Sequence, residues 1–431
     1  MVLDDYNKEG VNKLLDSIRS LKLVDVYSIK SVDCLASSII IAELLRQLNI
    51  NFTLSFIDEN NQLKPSKNPS ILISDKENEI NAYILLFKNK IKINPDFNFT
   101  VTNEEIPTSV LLYLISITYS SSNKCLSYIP IISNINNLRS NVLLEIISEA
   151  IRENVIVSGT SLALVDSSTR PLHKALEYSI EPYIPNISNK EDNAVSLLSS
   201  LDIKIKEDDK FTRLIDLDSN SLSKLTEAIL IRNTELSTKQ ITKTKYFLKS
   251  EEYSSALKDL DEFSLLLEVS LLVEKYSIPI ARCLSPKNYK NRSLDVLRDF
   301  RLKVLQVLEW VYENKKSVVE KDGFIMVNYT KSVDNYILRA IPRLLYSNFY
   351  INSGKSIIFS ISNESEKIIA IHDEEANGHN IMKLLQDIDT KRFKLSNYKN
   401  TVFITFYKED ELELLTKINS YLNIPKIEQV A

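Results

Sequence analysis

Apolar positions at the start of the chain fall into short blocks of two different periods. Val11, Leu14, Leu15, Ile18 and Leu21 recur at helical spacing and predict an opening helix within residues 1–25. An apolar segment at 24–29 reads as a strand. A small polar turn follows with Asp33 at its tip, then a helix of small and aliphatic residues at 36–45. Residues 52–57, 70–74 and 82–87 read as three more strands, the second ending at Asp75. Strands alternating with helices predict an α/β fold with a mostly parallel sheet. In such a sheet ligands sit at the carboxyl ends of the strands. Further on, 110–117 and 146–155 read as helices, 128–132 and 162–165 as strands. Residues 180–245 read as mainly helical, with helices at 193–201 and 221–231 and a charged loop at 204–210. Residues 257–272 form an amphipathic helical pattern. A long helix is predicted at 291–314, where Leu297, Phe300, Val304, Val307 or Leu308, and Val311 keep the 3.6 period and Trp310 reads as packing. The last hundred residues carry strand patterns at 324–329, 356–361, 367–372 and 401–406, and helix patterns at 333–346, 381–388 and 410–422.

Composition narrows the class. A chain of 431 residues has room for two or three domains. Its 44% apolar and 26% charged residues are ordinary for a globular protein. The net charge of −4 argues against a dedicated nucleic-acid binder, which carries a basic domain or stripe, while leaving a local groove open. No apolar run reaches the roughly 18 residues of a membrane span, and the acidic, polar start is unlike a signal peptide. Cys34, Cys125 and Cys283 are too far apart for a zinc spacing and fit a reducing cytosol. Only five glycines are present, so few places let the backbone approach a phosphate or metal closely.

The strand–turn–helix at 24–45 resembles the first motif of the DHH phosphoesterase superfamily, to which RecJ nucleases belong, S-H-x-D-x-D-G-x-x-S. Ser28, Asp33 and Ser37 match it; Ile29 stands at the His, Ser31 at the first Asp and Cys34 at the Gly. Asp75 stands where the second motif keeps an Asp. At the D-H-H positions are Lys88, Asn89 and Lys90, and Ile93-Asn94-Pro95 is similar to the family's following h-x-N-P step. The family then has a Gly-Ala helix, where Thr108 and Ser109 stand here, and its next strand ends in an Asp ligand, replaced here by Ser133, Asn134, Ile135 and Asn136. Glu268 to Leu272 occupy the N-A-C-G-R positions of active members. Of the C-terminal G-G-H-x-x-A-A-G signature, Gly378 and His379 persist, while Met382, Lys383 and Leu384 fill the A-A-G positions. Two-metal phosphodiesterases hold their ions with carboxylates and imidazoles. An ammonium about 4 Å from a cation costs on the order of 4 kcal/mol per unit-charge pair even at a dielectric of 20, so Lys88 and Lys90 oppose such a site. Asp33 and Asp75 read either as remnants of a metal centre or as polar residues capping helices and turns at strand ends.

The segment from Ser168 to Ser179, S-T-R-P-L-H-K-A-L-E-Y-S, with Pro182 and Ile184-Pro185 after it, looks like a stretch shared by archaeal RecJ-like proteins, the group that includes the GINS-associated nuclease. Arg170, His173 and Lys174 read there as contacts to a nucleic-acid phosphate, or more plainly as a helix start with Pro171 in its first turn. The helical stretch at about 180–245 is similar to the insertion of the cell division cycle protein 45 family, an inactive branch related to RecJ. The resemblance implies a parallel-sheet DHH lobe at 1–290 carrying that insert, a connecting helix at 291–315, and a smaller α/β DHH-associated lobe at 316–431.

It also implies a non-catalytic DNA replication scaffold that joins GINS to the MCM helicase and stimulates it, with no catalytic residue, metal or cofactor and a cytoplasmic, nucleoid-associated location. Lys88, Lys90, Arg170, Lys174 and His379 are the candidates for contact with single-stranded DNA, and Lys30 joins the first two as a candidate basic cleft. Two alternatives stand beside it: a residual metal-dependent single-strand exonuclease using Asp33 and Asp75, and a RecJ-like accessory protein in DNA repair.

Overall fold

The computed structural model describes residues 6–58, 68–76, 82–93, 97–138, 140–164, 169–252, 255–362, 366–373 and 384–422. The chain divides into two compact units, 1–161 with 244–297 and 162–243 with 298–431.

In chain order the first elements are α1 (Lys8–Arg19), β1 (Leu23–Ile29), α2 (Val32–Gln47), β2 (Asn51–Ile57), β3 (Ser70–Ser74), β4 (Ile84–Phe87), β5 (Lys90–Ile93), β6 (Phe97–Thr100), α3 (Thr108–Tyr119), α4 (Tyr128–Asn134) and α5 (Asn141–Arg152). The sheet runs β2-β1-β3-β4-β5-β6, parallel through β4 and antiparallel beyond it. The expected α/β fold with a parallel sheet is present. Strands β3 and β4 are almost wholly buried, as strands covered on both faces are, which explains their unbroken apolar runs. Helix α2 is buried nearly all round. Its interior hydroxyls turn back on the helix, Ser37 to the Asp33 carbonyl at 2.7 Å and Ser38 to the Cys34 carbonyl at 2.8 Å.

Two expectations are corrected in this unit. Residues 128–132 form the helix α4 instead of a strand. An apolar run this short carries no period that separates the two, and Pro130 sits in the first turn, where its missing N–H costs nothing. The sheet also continues past the last strand read from the sequence: Lys88, at φ 47°, and Asn89 turn β4 back into β5.

The chain continues with β7 (Ile156–Leu162), α6 (Leu172–Glu177), α7 (Glu191–Ser200), β8 (Lys206–Glu207), β9 (Lys210–Phe211), α8 (Ser219–Arg232), α9 (Thr238–Ile241), β10 (Thr242–Leu248), α10 (Leu260–Leu272), α11 (Ser277–Leu284) and α12 (Pro286–Glu313). Strand β7, earlier than the one expected at 162–165, pairs with β10. The charged loop at 204–210 is a tight hairpin, β8 to β9, whose two central residues Asp208 and Asp209 both take positive φ, as a type I′ turn requires. The last elements are β11 (Val318–Glu320), β12 (Phe324–Tyr329), α13 (Asn335–Leu345), a π-helical turn (Tyr346–Tyr350), β13 (Ser356–Ser362), β14 (Glu366–His372), β15 (Lys394–Tyr398), β16 (Thr401–Tyr407) and α14 (Glu411–Leu422). Their sheet runs β11-β12-β13-β14-β16-β15, with β12 and β13 parallel and the other pairs antiparallel.

Two apolar clusters lie among the described residues of the second unit. One is drawn from residues 162–241, the other from 324–422. Residues 162–243 thus pack in the same unit as residues 298–431. Among the described residues no helix is long and apolar enough to cross a membrane.

Candidate functional site

Strand order in the first sheet reverses between β1 and β3, so the ends of these strands flank the place where an open α/β sheet holds ligands. Asp33 follows β1 and Asp75 follows β3. Ser31 caps α2 through its hydroxyl, which accepts the Cys34 N–H at 3.2 Å, and Asp33 lies in the first helical turn, not at the tip of a free loop. Its carboxylate reaches the start of α3. The Thr108 N–H donates to Oδ2 at 2.7 Å, the Ser109 N–H donates at 3.3 and 3.4 Å, and the Ser109 hydroxyl donates to Oδ1. The Asn134 amide at the end of α4 donates at 3.4 Å. Helix α3 begins after Pro107, which offers no capping side chain, so Asp33 caps it from another helix. A negative charge there also meets the positive end of the α3 dipole.

Around this carboxylate the network closes on itself. The Thr108 hydroxyl donates to the Ser74 carbonyl at the end of β3 at 2.7 Å and accepts the Lys88 N–H at 2.8 Å. The Ser109 and Ser133 hydroxyls are 3.0 Å apart, and Asn134 donates to the Ser133 hydroxyl at 2.9 Å and to the Pro130 carbonyl at 3.0 Å. Burial pushes the Asp33 carboxyl above its ordinary range, against the pull of the donors from Ser109, Asn134 and Thr108. Ser109 and Asn134 were seen in the sequence only as replacements for lost family residues. Their service to Asp33 had one local signal, a helix start at Pro107 with no cap of its own.

The other motif residues lie apart from this network. Asp75 Oδ1 is buried and has no hydrogen-bond partner among the described residues. The Lys88 ammonium is 2.5 Å from Glu105, Lys90 lies over the Phe87 ring at 5.5 Å, and Lys30 pairs with Asp58 at 3.1 Å and Glu274 at 3.5 Å. Leu271 and Leu272, at the family's Gly and Arg positions, are buried on α10. His379 lies outside the described residues, as do Asn377, Gly378, Met382 and Lys383.

These residues do not fit a two-metal centre. Both oxygens of Asp33 already accept hydrogen bonds from the ends of two helices, leaving little lone-pair capacity for a cation. Among the described residues no three His, Cys, Asp or Glu side chains come together as a metal-binding group.

In the second unit, Arg170 lies over the Tyr178 ring at 5.6 Å and Lys174 pairs with Glu177 at 2.8 Å and Glu191 at 2.6 Å. His173 is buried, 5.5 Å from the Phe211 ring and 3.7 Å from Glu191. Its Nδ1 has no hydrogen-bond partner among the described residues. Burial and the Lys174 ammonium hold its imidazole below the ordinary range, against Glu191 and Glu177.

Residues 164–243, which hold all three of these side chains, match the DHH-CID domain family. No curated protein matches the chain by sequence. In three dimensions it resembles the crystal structure of CDC45 from Entamoeba histolytica, with a TM-score of 0.66 at 8% identity over 97% of this chain and 99% of that one. The chain has the CDC45 fold. RecJ in complex with Mn²⁺ from Thermus thermophilus is a more distant structural neighbour, with a TM-score of 0.47 at 8% identity over 96% of this chain and 54% of that one. Within the CDC45 fold, the Asp33 network lies in the first sheet, and Arg170, His173 and Lys174 lie in the DHH-CID segment.

Proposed function

We propose that this chain is a non-catalytic DNA replication factor, a scaffold that joins the GINS complex to the MCM helicase and strengthens the helicase assembly. The observation that carries this reading is the state of Asp33. In a chain of CDC45 fold, the one matched carboxylate of the first motif caps a helix and accepts from Ser109 and Asn134 instead of standing open to a cation. The CDC45 likeness supports a replication role; the bond between GINS and MCM is our extension of it. A location on the nucleoid, in the cytoplasm, goes with that role. Contact with displaced single-stranded DNA through Lys88, Lys90, Arg170, Lys174 or His379 is the secondary part of the proposal. The first four already have acidic or aromatic neighbours, so each phosphate contact would replace an existing interaction.

Gel filtration of the purified chain mixed with the GINS complex of the same organism, at moderate salt, tests the scaffold. Stoichiometric co-elution is expected, and separate elution removes the reading and favours the repair-accessory alternative. A second reading, a residual metal-dependent single-strand exonuclease, draws on one observation, the buried and unpartnered Oδ1 of Asp75. Mn²⁺-dependent shortening of a labelled single strand, abolished by Asp75→Asn, would establish it in place of the first.

A further inference from the structure

The DHH-CID segment, which has a core of its own, meets the rest of the second unit through a set of polar contacts. On one side is the π-helical turn Tyr346–Tyr350, which continues α13 after its last regular turn. Such a turn carries one more residue than an α-helical turn, is rare, and is frequently found at functional sites. Here it places Asn348, fully buried, against the DHH-CID segment. Asn348 Oδ1 accepts the Tyr183 N–H at 2.6 Å, and its Nδ2 donates to the Ile180 carbonyl at 2.9 Å and to the Leu344 carbonyl at 2.8 Å. Its main-chain carbonyl accepts from Asn233 Nδ2 at 3.0 Å, and the same amide donates to the Tyr183 carbonyl at 3.0 Å. Two loops far apart in sequence, after α6 and after α8, are thus held by one side chain and its own backbone.

Further polar and aromatic contacts stand beside this one. Arg343 pairs with Glu181 at 3.0 Å, Asn352 donates to the Glu235 carbonyl at 2.7 Å, and the Tyr183 ring stands edge-on to Phe349 at 5.6 Å. The apolar core of the segment is drawn from its own residues, 162–241. A segment with its own core that is joined to the rest through hydrogen bonds is built as a module, and relative motion across such a junction is the ordinary expectation. We infer that the DHH-CID segment is a separately cooperative module and that the π turn is its latch, with Asn348 as the positioning residue. The segment opens as a body when the latch opens, while the C-terminal sheet stays folded. This inference does not depend on the proposed replication role.

Hydrogen–deuterium exchange on the full chain tests it. In the intact protein, amides at 180–241 exchange through an opening that leaves β12, β13 and β14 protected. Asn348→Ala raises exchange at 180–241 by about tenfold or more, the loss of one or more net hydrogen bonds, and leaves those three strands unchanged. Asn352→Ala, at an exposed position, serves if the first variant does not fold; it gives a smaller rise in the same region. Equal acceleration of the segment and of β12–β14 in either variant would show one cooperative body and overturn the module. No acceleration at 180–241 in either variant would overturn the latch.

Discussion

Asp33 and Asn348 are both buried polar side chains that tie loops and helix ends together, yet they do so in different settings. Asp33 sits inside one core, where β1, β3, α3 and α4 converge, and it brings a charge to the start of a helix. Asn348 is neutral and joins a segment that has its own core to the π turn. Hydrogen-bonding chemistry is similar at both; what differs is the apolar packing behind it. Where packing is continuous, a lost hydrogen bond is felt by the whole unit. Where packing is interrupted, the same loss releases one side. The first arrangement converts a remnant of a reactive site into structure, and the second divides a unit into parts that move.

Substitutions at Asp33 probe the comparison hardest. Asp33→Ala leaves the Thr108 and Ser109 N–H groups buried without their acceptor, so the first unit is expected to lose about 2–4 kcal/mol, read as a shift in the urea midpoint. A loss confined to α3, with the sheet still protected from exchange, would break the contrast with Asn348.

Gly10→Ala comes next. A Cβ there would run into the Phe99 ring of β6, and forcing the ring aside costs about 1–3 kcal/mol. Thermal melting should show it as a loss across the first unit, with the DHH-CID segment's exchange unchanged.

His173 sharpens the other side. Its folded pKa is lowered from 6.5, so the unfolded chain takes up a proton first as pH falls. Stability from the neutral imidazole is present above the unfolded value and lost as pH falls through the folded one. Protection at 180–241, corrected for the intrinsic pH dependence of amide exchange, is therefore expected to fall on acidification from about pH 7 to about pH 5. His173→Phe should flatten that dependence, and an unchanged slope would remove His173 from the module's energetics.

The smallest effect is expected at the surface lysines. Lys88→Glu with Lys90→Glu removes up to two phosphate contacts, so the salt slope of single-strand binding should fall by about one or less for each. An unchanged affinity and slope would exclude this face from DNA contact.

Much of the first sheet was legible because β1, β3 and β4 are largely apolar runs and α2 follows a capped turn. The long helix α12 showed equally well through Leu297, Phe300, Val304 and Leu308. Residues 128–134 were misread because Ile129, Ile131 and Ile132 fit a strand or a buried helix turn alike. Strands β5 and β6 were missed because a hairpin turn at Lys88-Asn89 has no glycine to announce it. The remnant positions Asp33 and Asp75 could be located by motif spacing. Their partners could not, since Thr108, Ser109 and Asn134 are brought to Asp33 by tertiary packing alone. Asn348 had no local signal at all, because a π turn leaves no period distinct from the helix it extends.

The most direct test of the central claim, that Asp33 is a structural residue and not a metal ligand, is thermal unfolding of the wild-type chain and of Asp33→Ala with and without millimolar Mn²⁺. The account predicts a lower melting temperature for the variant and no Mn²⁺-dependent shift in either protein. A Mn²⁺-dependent rise in the wild type that disappears in Asp33→Ala would be stabilisation by a bound cation and would contradict it.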